Sequence, residues 1–272
     1  MWDLENPPTD LPDEPAGEIA EARHVPKWRM ELLAFYLPAH LNDIDQYGIY
    51  LPAEGVAKAV NSIEMLNAER GNSSLNREDL ILAVTFTLFA HEMCHAWIED
   101  ICCLLDGENP TGAKGDRRYA RIHRRFNSYI FMEEAICNTA AYAWLHHFSS
   151  GESEAPHNRD ILTAIEAWMR TQPKGYNAFR CLEERPHTSE LFTNYVSRLL
   201  FEIYGIEDPA PTRMEVKSVV KDYFSHGERP ACFSKFPLYA CNQEELRRKR
   251  YNDAALQGID PDLGFGDLLD GL

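Results

Sequence analysis

Apolar positions dominate one stretch of the chain and give the rest its frame. From Leu80 to Leu105 they fall on nearly every side of a predicted helix, which marks a buried element. Asn76, with Asp79 three residues on, offers its N-cap. Upstream, Gly48–Leu51 reads as a short strand. Val56, Ala59, Val60, Ile63 and Leu66 then stripe a helix from Pro52-Ala53 to about Glu69. Downstream, helices are predicted over Ser128–Phe148, over Asp160–Arg170 and from a Thr188 or Ser189 cap to about Tyr204. Pro173–Tyr176 is a turn. Beyond Pro211 the periodicity fades, although Cys232–Ala240 resembles a strand and Glu244–Tyr251 a charged helix. The expected fold class is therefore α+β and predominantly helical, with a buried helix beside a small flanking sheet. Residues 25–251 are expected to form one domain between acidic tails at 1–24 and 252–272.

The buried run carries an interruption that needs a physical cause. His91, Glu92, His95, Glu99 and Asp100 are its strongly polar residues. Burying ionisable groups costs several kcal/mol unless they are paired or bound to a metal. Two histidines four residues apart on a helix differ by about 40° in azimuth and about 6 Å in rise, so both point one way. That is the geometry for gripping one ion from a single helix face. Glu92, beside them, is placed to take a proton from water held at the metal. Glu99 and Asp100 are expected to face water or pair with arginines, with a supporting contact to the metal ligands as the other reading.

A catalytic zinc usually takes three protein ligands. Glu134, 39 residues after His95, is the leading third ligand, with Glu133 as the fallback. The stretch Glu134-Ala135-Ile136-Cys137-Asn138 resembles the second motif of the gluzincin peptidases, the thermolysin-like group, whose pattern is Glu-Ala-x-x-Asp. The resemblance covers two helices, about a quarter of the chain. It implies a zincin-like domain, Glu134 as ligand and Asn138 as the hydrogen-bond partner of a ligand histidine, with Asn in place of the usual Asp. The metzincin continuation is absent, since Ile98 and Ile101 stand where Gly and His are needed. Peptide deformylases need a cysteine ahead of the motif, and none precedes Cys94. His91-Glu92-Met93-Cys94-His95-Ala96 also resembles SprT-like proteases, with His123 in the region of their third ligand but no Gly after it.

The implied chemistry is peptide-bond hydrolysis. Zinc brings the pKa of its water to about 7, Glu92 serves as general base, and one further donor stabilises the oxyanion. His226 is the first choice for that donor, with Tyr176 and Tyr223 as others. A small sheet that includes the Gly48–Leu51 strand is expected to flank the motif helix and form the substrate edge, beside which an extended protein or peptide adds as a strand. A non-peptidase zinc hydrolase and a catalytically silent zinc-binding interaction protein are the other readings.

Composition narrows the setting. The 272-residue chain carries a net charge of −16, which opposes general binding to nucleic acid or anionic membrane. Met1–Glu21 holds seven acidic residues and no basic ones, so no secretory signal is expected there. Seven cysteines without C-x-x-C spacing fit a reducing cytoplasm better than a disulfide framework. Arg117–Arg125 reads as a solvated basic face, and Cys94 as packing rather than ligand.

Overall fold

A computed structural model describes residues 33–37, 48–72, 75–106, 127–149, 156–206, 210–225 and 238–241. Both acidic tails, Arg117–Arg125 with His123, His226, and the Glu244–Tyr251 helix lie outside the described residues. In chain order come β1 (Phe35–Leu37), β2 (Gly48–Pro52), α1 (Ala53–Glu69), α2 (Arg77–Asp106), α3 (Asn127–Ser149) and α4 (Pro156–Met169). Two short 3₁₀ turns, Tyr176–Ala178 and Pro186–Thr188, lead to α5 (Glu190–Tyr204), α6 (Arg213–Ser225) and β3 (Leu238–Cys241). The described residues are mostly helical beside a small sheet, an α+β arrangement.

Local chemistry accounts for the helix starts. Asn76 Oδ1 accepts the main-chain N–H of Glu78 at 2.9 Å and of Asp79 at 3.3 Å, capping α2 where the sequence places the cap. Ser189 caps α5 through the N–H of Phe192. Helix α6 was not legible from periodicity, yet Thr212 and Glu215 form a reciprocal capping box at its start. Helix α4 begins at Pro156 rather than Asp160, because proline suits a first turn whose N–H is unpaired anyway.

The sheet order is β1-β2-β3, antiparallel between β1 and β2 and parallel between β2 and β3. Tyr50 of β2 faces Phe35 across the ladder with stacked rings 4.8 Å apart. The expected Gly48–Leu51 strand is thus present as β2, with a partner on each side in a small sheet. Among the described residues, β1 and β3 are the outer strands. The described part of the Cys232–Ala240 strand starts only at Leu238.

Helix α2 is the axis of the packing. Its first half, with Leu80, Val84 and Leu88 buried, joins a cluster with Ile49, Val60, Ile63, Ile165 and Trp168. Its second half, with Trp97, Ile98 and Ile101, joins Ile136, Val196, Leu199 and Val220 from α3, α5 and α6. The His91–His95 stretch sits where these two apolar clusters meet, and Met93 packs against both. Although α2 is long and apolar enough to cross a membrane, 61% of its most apolar window is buried inside the protein. A core helix accounts for that pattern without a bilayer.

Candidate metal centre

Helices α2 and α3 pack along one another through small residues. Cys94 of α2 and Ala135, Cys137, Ala140 and Ala143 of α3 are all fully buried in one cluster, and short side chains let helix axes approach closely. Cys94 therefore packs, as the sequence suggests, and burial beside it pushes the Cys137 thiol pKa up. The close approach brings polar residues of the two helices into contact at one level. His91 is fully buried, Glu134 is 4% exposed, and only the His95 side chain, 15% exposed, opens outward.

Three donor atoms converge there. His91 Nε2 lies 3.1 Å from Glu134 Oε2, His95 Nε2 lies 3.5 Å from the same oxygen, and the two Nε2 atoms are 3.2 Å apart. A tetrahedral zinc with bonds of about 2.0–2.1 Å separates its ligand atoms by about 3.3–3.4 Å. The triangle thus has the size such an ion requires.

The opposite ring nitrogens say which atoms carry protons. Asn138 Nδ2 donates to the main-chain carbonyl of Tyr176 at 2.7 Å, and a carbonyl can only accept. The amide orientation follows, so Asn138 Oδ1, 2.7 Å from His91 Nδ1, must accept from it. His95 Nδ1 likewise donates to Glu133 Oε1 at 2.7 Å. With each Nδ1–H engaged, both Nε2 lone pairs face the Glu134 carboxylate. Three lone pairs within 3.5 Å repel unless a cation, proton or metal, sits among them.

The metal-free electrostatics agree. Burial pulls the pKa of His95 down, but the Glu134 carboxylate and the Glu133 hydrogen bond override it and hold the imidazole well above its ordinary value. Burial likewise opposes the charged form of Glu134, and the facing histidines, His95 first, lower its pKa to about 2. The site selects positive charge at its centre.

The other expected residues divide. Asn138 lies within hydrogen-bond distance of His91, and Glu134 rather than Glu133 joins the triangle. Glu133, the fallback ligand, instead anchors His95. Glu133, His95 and Cys137 also offer one donor atom each within 4.8 Å of one another, but Glu133 Oε1 and His95 Nδ1 form an ordinary hydrogen bond. Glu92 is 2% exposed on the next helix position and is not part of the convergent group. Tyr176 stacks its ring on His91, centroids 6.0 Å apart at 16°. Tyr223 donates its hydroxyl to Asp100 at 2.9 Å. Glu99 and Asp100 do not face water: both are buried, with Glu99 accepting from Tyr36 on β1 and Asp100 from Tyr223 on α6. The partnership of Glu133 was readable only in that it stands directly before Glu134, about 100° round the same helix, and so borders the same site from another face. The Tyr176 carbonyl leaves no trace in side-chain chemistry.

No family model, curated protein or solved structure matches this chain.

Proposed function

We propose that the protein is a zinc-dependent hydrolase cleaving peptide bonds in a protein target. One observation carries the reading: two histidine Nε2 atoms and a carboxylate oxygen converge at 3.1–3.5 Å, with both Nδ1–H groups already committed elsewhere. Such a donor set suits a borderline-soft divalent ion and leaves a fourth position open. When bound, zinc supplies Lewis acidity and brings water within reach of deprotonation near neutral pH.

The chain's own residues do the rest. His91, His95 and Glu134 hold the ion, while Asn138 and Glu133 fix the ring orientations and tautomers that aim both lone pairs inward. Glu92, adjoining His91 in the same buried turn, accepts the proton lost by water and returns it to the leaving amine. The partially exposed His95 side is the approach for substrate. A gluzincin-like fold and activity on polypeptides are the finer parts of this reading, and both derive from the Glu92 and Glu134 motifs.

Metal analysis of purified protein, paired with Glu92→Gln, tests it. Zinc near one equivalent in both proteins is expected, with hydrolysis of a peptide library in the wild type and a loss of at least about 10²-fold in the variant. Equal activity in the variant would rule out Glu92 as base. Wild type without zinc, unaltered by Glu134→Ala, would end the hydrolase reading.

A further inference from the structure

We propose that Tyr176 acts on the metal centre through its main-chain carbonyl, by demanding an amide rather than a carboxylate at position 138. The inference rests on the metal-binding reading above. The carbonyl accepts from Asn138 Nδ2 while Asn138 Oδ1 faces His91 Nδ1, each at 2.7 Å. An aspartate here would keep the contact to His91 but set its second oxygen against the carbonyl, two acceptors with no proton between them. Asn138 is fully buried and Tyr176 is 3% exposed, so bulk water does not screen that clash.

The carbonyl cannot easily retreat. It belongs to the turn at 173–178, held by main-chain bonds from Asn177 to Pro173 and from Ala178 to Gly175. Gly175 adopts φ +96, and a Cβ there would lie 3.0 Å from Phe131 Cα, so the turn is pressed onto α3. The Tyr176 ring is stacked on His91 itself. One residue therefore supports the same ligand twice, by its ring and by its carbonyl through Asn138.

The two histidines consequently have unlike supports, a neutral amide on His91 and a carboxylate on His95. General second-shell logic says that a carboxylate in place of Asn138 makes His91 more basic and tightens metal binding. The Tyr176 carbonyl reverses that sign, so the two views predict opposite outcomes for one substitution.

Zinc dissociation constants, measured by competition with a chromogenic chelator, decide between them, alongside the visible spectra of the Co²⁺-loaded proteins. Asn138→Asp is expected to bind zinc about 10- to 100-fold more weakly than wild type. Gly175→Ala, which displaces the turn but touches no ligand, is expected to weaken binding in the same direction and to alter the Co²⁺ bands. Equal or tighter binding by Asn138→Asp overturns the proposal while leaving the metal centre intact. If that variant does not fold, unchanged affinity and spectrum in Gly175→Ala overturn it instead. Absence of zinc binding by wild type overturns the metal reading together with this one.

Discussion

At the scale of single residues, proton and metal compete for one place. Between them, His95 and Glu134 hold a proton inside the triangle when no metal is present, because each favours the charged form of the other. Metal uptake near neutral pH is therefore expected to release about one proton. Calorimetric titration in buffers of different ionisation enthalpy checks this, and zero release would refute it. Apparent affinity should fall about tenfold per pH unit where His95 is protonated. The sign for metal-free stability follows from the same two groups. The depressed pKa of Glu134 stabilises the fold above its ordinary value of 4.5, and that contribution fades as pH falls toward about 2. The raised pKa of His95 stabilises fully below 6.5, and that contribution fades as pH climbs through its elevated value. Metal-free protein is thus expected to soften on both sides, as read from urea midpoints across pH.

At the scale of elements, close approach decides what propensity cannot. Gly55 lies in the first turn of α1, where alanine ordinarily stabilises a helix by about 1 kcal/mol. A Cβ on Gly55 would stand 2.0 Å from the main-chain oxygen of Leu33, just before β1. Gly55→Ala is therefore expected to destabilise by about 2 kcal/mol, measured by urea denaturation; a gain would show that the strand and helix separate freely. The elements of the site were legible where periodicity is local. Asn76 and the apolar run defined α2, and the Glu134-to-Asn138 spacing placed two functional groups one turn apart on α3. Helix α6 is faint in the periodicity because its capping box, Thr212 with Glu215, is followed by a sparse stripe, Val216, Val220 and Tyr223. The capping box was the available signal.

At the scale of the whole molecule, the site is the joint between two apolar clusters. Residues from α2 and α3 form it, with the 173–178 turn behind them, so an ion there ties both clusters to one point. A ligand present at 100 times its dissociation constant stabilises by about 2.7 kcal/mol. Chelation is accordingly expected to lower Tm by about 5–10 °C for a domain of this size, with recovery on adding zinc. An unchanged Tm in differential scanning calorimetry would count against a resident ion.

What the sequence by itself determined is the set of groups sharing a helix face. His91 with His95, and Glu134 with Asn138, are separated by four residues, and a 3.6-residue period brings such pairs together wherever the helix lies. Only the tertiary structure decided what meets those faces. Glu133 reaches His95 across 38 positions, Tyr36 reaches Glu99 across 63, and Tyr223 reaches Asp100 across 123. The tertiary structure also made β2 a middle strand and set the Tyr176 carbonyl behind Asn138. Such contacts depend on how whole elements pack, and a main-chain carbonyl is the same group in every residue, so side-chain patterning carries no mark of where one will be used.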